Sequence, residues 1–419
     1  MSLLGALVDI RPLREHPTFR RLWLGATASG FGSQLGAFAA TFYVWDRTHN
    51  PLMVGLIGLF AAAPLIAFAL LGSAFVDHVD RRRLAIVTTV GLIMTSLLMT
   101  GVALWPGDGV WVMFGLVAVA SSLSALGTPA RRAFVPRLLP PDRLSAGLAL
   151  DHLSFQIAVL LGPAIAGFLT AQWGTAVCFA IEAVTFVAAL IGLTGLPRTS
   201  RLEGAGRVGA TAVWEGVSFA VRTPAVRGAF LVDLAATVLA MPVALFPVVN
   251  QEKFGGSPEI LGLLTSALAV GGVVASAVSG LITQRNRPGL VLLACAALWG
   301  VSLAGVGLSS QLPVVLTLLA LAGAADTWSV VSRGTIVQSS TPESHRGRVA
   351  SLEHIVGAAG PHVGGLRAGL VAAEASGGTA LVIGGLTCLA SLGLITALIP
   401  QLQHFRMTRQ SPAQAEAHV

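Results

Sequence analysis

LDHLSFQIAVLLGPAIAG, residues 150–167, is an apolar run that carries one carboxylate near its start and a Gly-Pro step near its end. With its flanks it gives an expected helix over 144–171, longer than the roughly 20 residues a membrane span needs. Asp151 precedes Ala158 by seven residues and Gly162 by eleven, so at helical spacing the acid shares the face of the small residues instead of pointing at lipid. Ala158, Gly162 and Ala166 recur every fourth position, a flat ribbon that admits a neighbouring helix at close range. Pro163 has no N–H for the carbonyl one turn earlier and bends the helix.

A second stretch, LEHIVGAAGPHVGG at 352–365, echoes the first. Leu150-Asp151-His152-Leu153 returns as Leu352-Glu353-His354-Ile355, and Gly162-Pro163 as Gly360-Pro361. PLMVGL at 51–56 likewise returns as PEILGL at 258–263. Echoes about half a chain apart are the mark of a duplicated unit. Apolar runs between charges and Gly/Pro punctuation predict helices at 22–45, 52–76, 84–105, 110–130, 144–171 and 176–197, then at 228–250, 260–283, 289–308, 312–332, 349–373 and 378–399. The expected fold is an all-α integral membrane protein of twelve transmembrane helices in two six-helix halves, 1–197 and 228–400. A cytoplasmic linker at 198–227 joins them, with a short amphipathic stretch around Val213 to Val221, and a cytoplasmic tail follows at 401–419.

Composition agrees. The 419 residues are 54% hydrophobic and 11% charged, too few polar side chains to cover a soluble globule of this size. Mean hydropathy is +0.79. The N-terminal segment has charges at Asp9, Arg11, Arg14, Glu15, Arg20 and Arg21 and no signal-peptide core, so the first helix is expected to be retained. The net charge of +7 is explained by placement: of the 26 Lys and Arg, all except Arg47, Lys253 and Arg367 fall in loops on one side, which the positive-inside rule makes cytoplasmic. Both termini then lie inside, and nucleic acid is excluded as a partner. Cys178, Cys295 and Cys388 sit in apolar segments without metal or disulfide spacing.

An ionised side chain at bilayer depth costs roughly 2.5 to 3.5 kcal/mol on insertion scales, so buried charges need partners, water or a task. Asp151, His152, Glu353, His354 and Arg367 are the candidates for contacts to a coupling ion and a substrate. The plainer alternative has Asp151 and Glu353 snorkelling to cytoplasmic water and Arg367 to the outer surface. Gln34 and Gln156, both mid-helix, are either substrate contacts or hydrogen-bonding glue between helices. Glu182, Asp233 and Asp326 lie near helix ends and are read as snorkelling or paired; His362 is given no role.

GSAFVDHVDRRR at 72–83 resembles the loop-2 signature of the major facilitator superfamily. The resemblance implies a cytoplasmic gate of Asp77 with Arg81, Arg82 and Arg83, His78 standing where Arg or Lys is usual. The Ala158, Gly162, Pro163, Gly167 pattern, with Gly360 and Pro361 as its second copy, resembles the Gly-Pro signature of the superfamily's exporters and antiporters, Ala158 and Ala166 replacing glycines. LREHPTFRRLW at 13–23, the stretch from Pro342 through Arg346-Gly347-Arg348-Val349, FGGSPEILGL at 254–263 and LQHFR at 402–406 are similar to the branch of transmembrane secretion effectors, which includes siderophore exporters and drug-efflux pumps. The acid that many members carry in helix 1 near Ser33 is absent.

The resemblance implies a proton-coupled secondary exporter of a small molecule, a siderophore or similar bulky metabolite, working by alternating access as a monomer in the bacterial inner membrane. No cofactor is expected beyond the proton gradient. Multidrug efflux is the neighbouring reading, and a non-transporting membrane sensor or assembly partner is the reading from another class. No nucleophile motif, metal cluster or phosphate loop suggests an enzyme.

Overall fold

The computed structural model describes residues 9–71, 80–196, 210–278 and 286–406. Among them every regular element is helical. The long helices are α1 Pro17–Thr48, α2 Pro51–Leu71, α3 Arg81–Leu104, α4 Val110–Arg132, α5 Pro141–Trp173 and α6 Thr175–Leu193. They continue as α7 Pro224–Phe254, which is interrupted, then α8 Pro258–Ala277, α9 Pro288–Leu308, α10 Leu312–Ser340, α11 Glu343–Glu374 and α12 Gly377–Leu398. Ten of these are long and apolar enough to cross a membrane. The other two, α1 and α11, are 32 residues each and more polar, and they pack among the apolar ten. The expected ends of helices 2, 6 and 8 run into 72–76, 197 and 279–283, outside the described residues, as does Asp77 of the expected gate.

Local chemistry sets the helix starts. Proline opens α1, α2, α5, α8 and α9, where its missing N–H has no partner to lose. Asp80 caps α3 by accepting from the N–H groups of Arg82 (2.7 Å) and Arg83 (3.2 Å). Ser257 and Ser376 cap α8 and α12. The amphipathic stretch of the linker is a helix over Ala210–Arg222, held to α11 by the Arg348–Glu215 ion pair at 2.8 Å.

Packing repeats with a shift of six helices. α1 packs on α6, α3 on α4 and α6, and α2 on α4; in the second half α7 packs on α12, α9 on α10 and α12, and α8 on α10. The two cations outside the basic side occupy equivalent places. Arg47, ending α1, donates to the carbonyls of Trp105 and Gly107 at 3.4 Å in the α3–α4 connection. Lys253, ending α7, donates to the carbonyls of Val306 (3.0 Å), Gly307 (2.6 Å) and Ser309 (2.8 Å) where α9 ends. Its neighbour Glu252 accepts from the Gly377 and Gly378 N–H groups at 2.8 and 3.3 Å, opening α12. An acid on a helix start and a cation on a helix end both follow the helix dipole. The outer face of the bundle is apolar, with Val87, Met94, Leu98, Val184, Ile191 and Leu398 exposed, and Trp105, Trp111 and Trp173 form an aromatic rim at the end opposite the arginines.

Two expectations are corrected. Helix 7 was expected to be continuous over 228–250; instead Pro224–Leu234 passes into a π-turn at Ala235–Leu239, a break, a 3-10 turn at Val243–Leu245 and a second helix Phe246–Phe254. Pro242 lacks the N–H that would carry the ladder across. Arg333, expected in a loop after helix 10, lies inside α10, which runs two turns further to Ser340. It is 7% exposed, and its charge is tolerated there because Asp233 of α7 pairs with it.

Candidate functional site

The halves meet through two helix pairs, α5 with α8 and α2 with α11. Both contacts need glycine. A Cβ on Gly167 would strike the Pro258 carbonyl, and one on Gly262 the backbone at Pro163 and Ala164. In the other pair, Gly55 abuts Gly365 and Leu366, Gly369 abuts Pro51 and Leu52, and Gly58 faces His362. Pro163 and Gly167 of the Gly-Pro motif thus lie where the halves touch, whereas Gly162 faces Gln34 and Gly360 faces Thr237 within their own halves.

Two chambers adjoin, the upper one between the halves and the lower one within the first half. The upper one, about 380 Å³, is walled by α1, α2, α3, α4, α6, α7 and α11 and is mostly apolar, with Met99, Val117, Phe186 and Met241 among its residues and Ser33, Thr41, Ser96, Ser121, Ser124, Glu182 and His362 as its polar points. The lower one, about 320 Å³, lies among the ends of α1, α4 and α5, with Phe186 of α6, on the arginine-rich side. Its wall includes Phe19, Trp23, Phe155, Arg131, Arg132 and Asp151. Ser33, Ser124 and Phe186 line both, so the chambers adjoin at these residues. Arg131 donates weakly to Thr89 and Thr128 at 3.4 Å.

Of the expected site residues, Asp151 lines the lower chamber. Its neighbour His152 is exposed, and Gln156 is half-buried outside both chamber walls. Gln34 packs against Gly162, between α1 and α5. Ala158, one turn before Gly162 on α5, is buried. Glu353 approaches Arg333 Nε at 3.5 Å, so Arg333 bridges Asp233 and Glu353, and Asp326 is exposed two turns earlier on α10. His354 is exposed. Arg367 donates to the Leu239 carbonyl at the end of the π-turn, while Gly360 and Gly364 of α11 press against Thr237 and Met241. Pro361 lines the upper chamber. The gate arginines Arg81, Arg82 and Arg83 make no ion pair among the described residues, and Arg82 Nε is buried without a partner there.

Sequence reasoning missed Glu182 and His362 as cavity residues. Glu182 does not snorkel and has no cation partner among the described residues: it is 9% exposed in the upper chamber wall and accepts a hydrogen bond from Ser96 Oγ at 3.0 Å. The available signal was the glycine pattern of α1. Gly32 and Gly36 leave room for Thr185 and Glu182 of α6, whose atoms a Cβ at either position would hit.

Residues 8–417 match the family profile described as transmembrane secretion effector. The chain is similar to the multidrug efflux pump Tap of Mycolicibacterium fortuitum, 26% identical over 396 residues, which span 90% of this chain and 94% of that protein. It is similar to the same degree to the enterobactin exporter EntS of Salmonella typhimurium, 26% identical over 414 residues, 96% of this chain and 97% of that one. Among solved structures it shares its fold with a bacterial homologue of the iron transporter ferroportin in the inward-facing state (TM-score 0.70, 16% identity, 96% of this chain and 100% of that one). It also shares it with the nucleoside transporter NupG (TM-score 0.74, 11% identity, 91% and 99%).

Proposed function

The chain belongs to the transmembrane secretion effector family, a family of membrane transporters and not an enzyme class, and we propose that it exports a small molecule by proton-coupled alternating access. α1 and α11 count as two further spans in this reading, giving twelve in two units, 1–197 and 228–400, with the linker 198–227 and the tail 401–419 on the cytoplasmic side. The observation that carries it is the pair of adjoining chambers, the lower one at the arginine-rich side, with the glycine contacts of α2 with α11 and α5 with α8 joining the halves at the other end. On this reading the lower chamber faces the cytoplasm. Parting of those two contacts while the arginine-rich ends close would present the same chambers to the outside. Asp77 with Arg81 to Arg83 serves that closure, and Asp151 and Glu353 are carboxylates whose protonation is able to bias it, since a neutral acid costs less to enclose than a charged one.

The lower chamber combines aromatic rings with Arg131 and Arg132, which suits an oxygen-rich, acidic, partly aromatic molecule such as a catecholate siderophore. Drug efflux has its own support in the largely apolar upper chamber and in the equal likeness to Tap. Everted membrane vesicles energised to an acid interior test the function: they are expected to accumulate a catecholate siderophore, and the accumulation is expected to collapse with a protonophore. Accumulation of a lipophilic cationic dye in its place would select drug efflux. Uptake of neither, in vesicles that contain the folded protein, would count against export.

A further inference from the structure

We propose that Glu182 is a proton-binding site of the transport cycle, placed in the cavity by a glycine window in α1; this rests on the proton-coupled reading above. α6 packs behind α1 and α3, and its side chains would ordinarily end there. At Gly32 and Gly36 α1 has no side chain to interpose, and the Glu182 carboxylate occupies the space a Cβ at Gly36 would fill. It reaches the upper chamber, 9% exposed, with Ser96 Oγ as its hydrogen-bond donor and no ion pair among the described residues.

The other titratable groups nearby do not neutralise it. Cys178 lies one turn earlier on α6 and is bonded to Thr170 and the Ala166 carbonyl. Tyr43 of α1 points its hydroxyl at the Val102 carbonyl. His362 of α11 shares the chamber wall, while α2, α3 and α7 contribute no charged group to it. Asp151, Arg131 and Arg132 belong to the lower chamber. Glu182 therefore lies in the upper chamber, one turn along α6 from Phe186, which lines both chambers. On the alternating-access reading it meets cytoplasmic water by way of the lower chamber in one state, and the far side once α2 and α11 part. A proton taken up on one side and released on the other needs a group in that position. Ser96 stabilises the carboxylate by donating, and its hydroxyl rotates to accept when the acid is protonated.

The test is the pH dependence of the conformational equilibrium, read in the full chain in liposomes by the distance between spin labels at the exposed positions Asp46→Cys and Glu374→Cys. The three native cysteines are buried. Wild-type residue 182 is expected to give a label distance that shifts between acid and alkaline pH, Glu182→Gln to lose that shift and hold the acid-form distance, and Glu182→Asp to restore it. A shift that survives in Glu182→Gln would overturn the assignment while leaving proton coupling to another acid. No shift in the parent protein would overturn the coupling reading and this inference with it. Where Glu182→Gln does not assemble, infrared difference spectra of the parent and Ser96→Ala decide: a pH-dependent carboxylic carbonyl band that moves on losing the serine supports the site, and one indifferent to Ser96→Ala overturns it.

Discussion

Arg333 sits between two acids in the second half, paired with Asp233 and approached by Glu353, and it is nearly inaccessible. Removing one partner of a buried pair leaves the other charge uncompensated, which typically costs about 3 to 5 kcal/mol. Arg333→Ala is therefore expected to lower the melting temperature of the purified protein sharply, and Asp233→Asn to do so less, because the amide still accepts a hydrogen bond. Arg367 makes a different expectation. Its guanidinium supports the Leu239 carbonyl where α7 breaks, and losing a charged hydrogen bond is worth about 1.5 to 3 kcal/mol, so Arg367→Ala should destabilise the fold even without substrate. A variant of wild-type stability with weakened substrate binding would instead make Arg367 a substrate contact. Asp151 was legible because an acid on a small-residue face has one direction to point. Glu182 was not: distance from a helix end measures depth, but whether a side chain turns inward depends on what the neighbouring helix lacks, and that neighbour is α1, about 150 residues earlier in sequence.

The helices themselves were largely readable from apolar runs, since nothing but a helix satisfies its own backbone in lipid. The break in α7 was not, because Ala235–Leu239 is as apolar as its surroundings and Pro242 alone hints at it. What holds the break is tertiary: glycines of α11 against Thr237 and Met241, and Arg367 on Leu239. The glycine contacts between halves predict a lock. Cysteines at Gly58 and His362 are expected to form a disulfide that stops transport until reduced, read as flux before and after reductant; transport unaffected by a complete cross-link would mean that α2 and α11 do not part. Lys253→Ala removes the donor to three carbonyls at the end of α9 and is expected to cost roughly 1 to 2 kcal/mol of stability, seen as a lower unfolding midpoint in detergent.

Across the molecule, one-sided arginines and the half-chain echoes already implied a repeated bundle with a fixed orientation, and the six-helix shift in packing supports the repeat. The cavity was not legible, because it is made of gaps between helices far apart in sequence. Its two chambers differ in character, basic and aromatic below, apolar with one carboxylate above, and that difference bears on what is carried. The most direct test is mass spectrometry of small molecules in cells and medium of iron-starved cultures, comparing a deletion strain with its parent. Export of a siderophore predicts an iron chelator retained in the deletion cells and depleted from their medium, restored by the intact gene. Identical profiles in cells and medium would contradict siderophore export and leave drug efflux, the reading favoured by the upper chamber, as the function to pursue.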